Sequence, residues 1–203
     1  MLDTAAPGPG LTELGLRQAA AIPAAFAARG IDTVAVSPLV RTSLTAAPLA
    51  EARALELGVL DGLSEVRAGD LEMLGEHEAI GTYISTIFGW VRGDTARRMP
   101  GGESGAEFFA RYDAAIEQLV ATGTESAVVV SHGAAIRAWA ALRAQGADVA
   151  VVEHRSMPNT GFVVVEGDFR RGWDLVEWSE HPAGGAELSS GLLPDPTAAP
   201  LEM

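Results

Sequence analysis

Residues 127–137 read AVVVSHGAAIR. Three valines in succession, Val128 to Val130, show no polar alternation, so a strand built from them is apolar on both faces. Such a strand belongs inside a sheet that is covered by helices above and below. The pattern turns helical directly after Gly133, and His132 therefore stands where a buried strand stops and a helix begins. In open α/β sheets that carboxyl end of the strands is where ligands bind.

The rest of the chain alternates in the same way. Residues 11–30 read as a helix with Thr12 as N-cap, Glu13 in the first turn and Gly30 as a stop, and Pro23 is expected to kink or split it. A short strand at 32–37 leads through Pro38 into a helix at 38–53, with Pro48 a second interruption, and 55–60 is strand-like. Residues 61–102 are the least regular part, with a loop, a helix around 76–92 and a turn at 99–104. Phe108, Phe109, Tyr112, Ile116 and Leu119 fall at helical spacing, which predicts an amphipathic helix before the valine strand. Residues 161–167 and 173–178 form two strands across a short turn, a predicted hairpin. After His181 the chain is rich in Pro, Gly, Ser and Ala. The expectation is one α/β domain over 1–180, with a mostly parallel central sheet between helices on both faces, and a loose tail over 181–203.

Composition removes several function classes. The formal net charge is −13, which repels nucleic acid and anionic membrane alike. All 14 basic residues are arginine. Without lysine there is no P-loop lysine, no Schiff base and no pyridoxal-phosphate anchor. Without cysteine there is no disulfide or thiolate metal site, as fits a cytoplasmic protein. No apolar run is long enough to cross a membrane and no N-terminal stretch reads as a signal peptide. Any anion site must therefore use arginine, histidine or backbone N–H groups.

Two strand-to-helix junctions offer those groups. SPLVRT (37–42) puts Arg41 one turn into a helix, and SHG (131–133) puts His132 and Gly133 at a helix N-terminus, whose free N–H groups suit a phosphate or carboxylate. The guanidinium of Arg41 matches phosphate oxygens. Taken singly, each residue has an ordinary structural reading: His132 a strand-end histidine, Arg41 a solvated helix charge, Glu65 a loop carboxylate. His77, His154 and His181 read as surface residues at spacings that match no zinc motif. The serine-hydrolase elbow G-x-S-x-G is absent, because GGESGAE has no glycine at 106.

The ordered set LTELGLRQA, SPLVRTSLTA, LSEVRAGDLE, MPGGES and VVVSHGAAIR resembles the histidine phosphatase superfamily, the phosphoglycerate-mutase-like clan, over roughly residues 2–178. The resemblance implies a three-layer sandwich and a phosphomonoesterase that works through a phosphohistidine on a small phosphorylated substrate. It implies Arg41 and His132 with Gly133 as the phosphate-holding group, Glu65 as the proton donor to the leaving oxygen, and neither metal nor cofactor. In that family the nucleophile lies in an Arg-His-Gly triplet that ends the first strand. No such triplet occurs in this sequence; the only His-Gly pair is His132–Gly133. The expectation is therefore a chain without the nucleophile and without the first strand, which belongs inside the sheet beside the valine strand. Loss of that strand predicts either closure of the 161–167 strand onto the valine strand or an exposed apolar edge. A non-catalytic phospholigand-binding module and a phosphoglycerate-mutase-type phosphotransferase are the alternative readings. Oligomeric state and substrate identity are not legible.

Overall fold

The computed structural model describes residues 1–189. Strands β1 (Thr33–Val36), β2 (Leu57–Val59) and β3 (Ala127–Val130) form a parallel sheet in the order β2-β1-β3. Helices α1 (Glu13–Ala25) and α2 (Val40–Arg53) cover one face. Helices α3 (His77–Val91), α4 (Gly105–Ala121) and α5 (Gly133–Arg143) cover the other. The period-2 geometry of a strand divides β1 between these layers. Val34 and Val36 pack with Ile22, Phe26, Ala46 and Leu49 of α1 and α2. Ala35, between them, faces Trp90, Phe108, Tyr112 and Ala135 of the α3–α5 layer. This is the expected α/β architecture with helices on both faces.

The predicted elements form for the expected local reasons. The Thr12 side chain accepts from the Gly15 amide and caps α1, but the helix is not split at Pro23, which it contains, and it ends at Ala25, short of the expected stop at Gly30. Ser104 and Glu107 make a reciprocal capping box that starts α4. Pro48 does not interrupt α2, which runs unbroken through it. Proline removes one N–H from the helix, and the carbonyl it leaves unbonded belongs to Leu44, an exposed residue within reach of water. Two short elements had no legible signal: β4 (Ala144–Gln145) and α6 (Val149–His154).

The sheet is divided, which a single central sheet did not anticipate. β4, β5 (Val163–Asp168) and β6 (Gly172–Trp178) form a second three-stranded sheet in the order β4-β6-β5. The hairpin β5–β6 is antiparallel, as read from the sequence. Among the described residues no strand pairs with the outer edge of β3 or with the free edge of β5. The 161–167 strand has not closed onto the valine strand. Burial records the consequence: Val34, Ala35 and Val36 of β1 are wholly buried, whereas Val128, Val129 and Val130 are only half-buried. The two sheets are tied instead through helices. Phe26, the C-cap of α1, meets Phe162 edge-on at 5.1 Å, and Trp139 of α5 meets Trp173 of β6 at 5.7 Å. Residues 181–189 run back along α1, where Gln18 Nε2 donates to the Leu188 carbonyl at 2.8 Å. The remainder of the predicted tail, 190–203, lies outside the described residues.

An open β3 edge has a measurable signature. Amide hydrogen exchange should be slowest in β1, near the global unfolding limit, while the β3 amides directed away from β1 exchange faster by local opening. Equal protection across Val34–Val36 and Val128–Val130 would mean that the β3 edge is covered in solution.

Candidate active site

β3 delivers His132 to the N-terminus of α5, where it is the N-cap residue with extended backbone. The imidazole is buried. Its Nδ1 lies 3.3 Å from Arg41 Nη2, and its Nε2 lies 2.8 Å from Ser37 Oγ. Arginine only donates, so Nδ1 is the acceptor and the proton sits on Nε2, which donates to Ser37. Ser37 in turn faces Thr42 Oγ1 at 3.1 Å, and Thr42 donates to the carbonyls of Ser37 and Leu39. Both ring nitrogens are thus engaged by protein groups. Burial, then the Arg41 and Arg111 guanidinium charges, push the His132 pKa down to about 3, so the ring is neutral near pH 7.

Arg41 reaches this point because β1 ends at Val36 and α2 opens after three intervening residues, at Val40, which puts Arg41 in its first turn. Its Nη2 also donates to the Asp3 carbonyl at 3.0 Å. The N-terminal loop lies over it. Gly8 has φ +65°, and a Cβ there would stand 2.7 Å from Arg41 Nη1, so only glycine leaves the guanidinium in place. The loop itself is anchored by Thr4, whose amide and hydroxyl both donate to Glu72.

Glu65 arrives from a different direction. Its carboxylate accepts from the amides of Ala135 (2.8 Å), Ala134 (3.3 Å) and its own neighbour Val66 (2.8 Å). It therefore lies on the α5 N-terminus, and two of the helix N–H groups that the sequence offered to a ligand are bound by a side chain of the protein. The loop that carries it is held from α4 by Arg111, from the end of β3 by Ser131 Oγ just beyond the strand, which donates to the Leu63 carbonyl, and from α3 by Tyr83, which donates to the Val66 carbonyl. Tyr112, beneath the loop, is buried, and burial pushes its phenol up to about 12.

The four predicted site positions, Arg41, Glu65, His132 and Gly133, thus come together at one helix N-terminus from three separate segments. His77, His154 and His181 are exposed and lie on other segments, α3, α6 and the chain beyond β6. Sequence reasoning missed Ser37, Gly8 and Arg111. Ser37 was legible in principle as the first residue of SPLVRT, directly after β1; Arg111 carried no local signal, since its partners lie 8 to 49 positions away. No cluster of His, Asp or Glu suited to a metal occurs among the described residues.

The profile of the histidine phosphatase superfamily (branch 1) matches residues 4–181. PE-PGRS family protein PE_PGRS11 of Mycobacterium tuberculosis is 34% identical over 211 residues, covering 96% of this chain and 36% of its own length. The chain thus spans about a third of that relative. Phosphoserine phosphatase 1 of Hydrogenobacter thermophilus is 30% identical over 165 residues, 80% of this chain and 77% of that protein. Among solved structures, mycobacterial glucosyl-3-phosphoglycerate phosphatase in complex with inorganic phosphate superposes with a TM-score of 0.71 at 27% identity. That superposition covers 91% of this chain and 93% of the other.

The neutral, buried His132 makes stability depend on pH. The unfolded chain protonates this ring below about pH 6.5 and the folded chain only near pH 3. The unfolded state therefore binds more protons in that window. The His132 contribution is fully present above pH 6.5 and falls as the pH drops toward 3, by at most about 1.4 kcal/mol per pH unit. Urea unfolding of wild type and His132→Gln between pH 7 and 4 should show the steeper acid loss in wild type. Parallel profiles would place a protonated histidine in the folded protein.

Proposed function

This chain belongs to the histidine phosphatase superfamily, and from that premise we propose that it carries the phosphate-holding and proton-donating half of a phosphomonoesterase site, acting on a small organic phosphoester. The observation that supports this reading is the meeting of Arg41, His132 and Glu65 at the N-terminus of α5. Arg41 supplies fixed positive charge toward the equatorial oxygens of a phosphoryl group, where transition-state charge is spread. His132 and Gly133 border that position. Glu65 is the group that protonates the leaving oxygen. The reaction is metal-independent and cytoplasmic in this reading, with arginine in the place of a cation.

The nucleophilic imidazole is not among residues 1–203 in this reading. His132 is unsuited to the role, since its acceptor nitrogen faces Arg41 and its N–H is given to Ser37. A phosphohistidine would form on a histidine carried by a further strand, and water would then hydrolyse it. A second reading, a phospholigand-binding module without catalysis, is favoured by one observation: the Glu65 carboxylate already binds amides of the α5 N-terminus. Transfer to a second hydroxyl, as in a phosphoglycerate mutase, uses the same groups with another acceptor.

Assay of p-nitrophenyl phosphate separates these roles. The 203-residue chain should turn over no faster than its His132→Ala variant; robust turnover lost in that variant would make His132 the nucleophile. Joined to an N-terminal strand that ends in Arg-His-Gly, the protein should become an EDTA-insensitive phosphatase. In that longer form Glu65→Gln should slow alkyl phosphates by about 10²–10⁴-fold and p-nitrophenyl phosphate much less, because only the poor leaving group needs the proton. Equal losses on both substrates would remove Glu65 from the acid role, and activity restored by a divalent ion after EDTA would remove the metal-independent mechanism.

A further inference from the structure

Arg111 of α4 lies outside the groups assigned above, yet it is the most heavily bonded side chain near them. A guanidinium has five N–H donors, and Arg111 uses every one. Nε and Nη2 donate to the two oxygens of Glu103 at 2.8 and 2.7 Å. Nη1 donates to the carbonyls of Gly62 and Ser64, and Nη2 to the carbonyl of Glu65, each at 2.8 Å. Glu103, which is buried, also accepts from the Arg67 amide at 3.0 Å. The ion pair therefore fixes the backbone at 62, 64, 65 and 67, on both sides of the residue whose carboxylate reaches α5. A pair this well buried costs desolvation, which full hydrogen bonding offsets. Stability alone does not explain why its donors converge on one loop of four residues.

We propose that Arg111, with Glu103 as its counter-ion, is the positioning residue for Glu65: it holds the loop so that the carboxylate meets the Ala134 and Ala135 amides. The functional meaning rests on the reading of Glu65 as proton donor, but the geometry is testable without any substrate. The guanidinium fork is essential, because three carbonyls and a carboxylate must be bound at once. A lysine ammonium has three donors on a single atom and does not span them. The charge of the same cation also helps, after burial and Arg41, to keep the His132 ring neutral.

The experiment is NMR on the 203-residue chain, following the Ala134 and Ala135 amide resonances. Glu65→Gln defines their positions without a charged acceptor. Arg111→Met and Arg111→Lys should both move these resonances most of the way to the Glu65→Gln positions, and adding Glu65→Gln to Arg111→Met should produce little further change. Ser104→Ala weakens the cap of the same helix α4 without touching the loop, so it should lower stability and leave the two resonances in place. Should Arg111→Met fail to fold, Glu103→Gln keeps the shape and loosens the fork, and should shift the same two signals in the same direction. Wild-type positions in the Arg111 variants or, where those do not fold, in Glu103→Gln, or an equal shift in Ser104→Ala, would reduce Arg111 to a general structural role. An absence of phosphatase activity in the strand-extended protein leaves these shifts untouched, so the two ideas fail separately.

Discussion

The N-terminus of α5 is the constraint on which the site is built. A helix that starts directly after a buried strand brings free N–H groups into the protein interior, where an unpaired donor costs about 1–3 kcal/mol. Glu65 supplies the acceptor for two of them. To do so, the irregular segment after β2 must fold back against β3. Ser131 closes that contact from the strand side, donating to the Leu63 carbonyl. A requirement of local helix chemistry thus brings an acidic residue to within hydrogen-bonding distance of amides 69 and 70 positions later.

Charge is arranged against the average of the molecule. The chain carries −13 overall, yet the groups whose fields reach His132 most strongly are two arginines, Arg41 and Arg111. Arg111 is neutralised by Glu103 beside it, whereas the hydrogen-bond partners of Arg41 are the neutral Asp3 carbonyl and the neutral imidazole. Among the described residues, Arg41, at the end of the parallel sheet, is therefore the one of the two without a carboxylate partner. Buried neutral histidine follows from the same arrangement, because a second cation beside Arg41 would be both desolvated and repelled.

How much of this was legible depends on the range of each interaction. Caps and strand ends are local, and Thr12 and the Val128–His132 run were readable from neighbouring residues, while the equally local Ser104 cap was overlooked. The convergence of Arg41, Glu65 and His132 was not local, and only the family motifs predicted it. Pro48 was misread because helix propensity was weighed without solvent: at an exposed turn of α2 the orphaned carbonyl of Leu44 has access to water. Arg111 was invisible because its spacing to Gly62, Ser64 and Glu65 follows no period, and such a hub is recognised only when the backbone carbonyls around it are in place.

The divided sheet and the candidate site share one edge. Among the described residues β1 has neighbours on both sides and buries Val34–Val36 completely, whereas β3 has a partner on one side and leaves its valines half-buried. His132 is carried by the strand with the open edge, two positions beyond Val130. A further strand laid along that edge would cover Val128–Val130, satisfy the outward backbone groups, and run alongside the imidazole and Arg41. The energetic demand of the sheet and the chemical demand of the site thus fall on the same line of backbone. Each β3 backbone group that gains a partner adds about 0.5–1.5 kcal/mol to a domain whose whole margin is about 5–15 kcal/mol. A strand on that edge would therefore stabilise the sheet and border the candidate site at the same time.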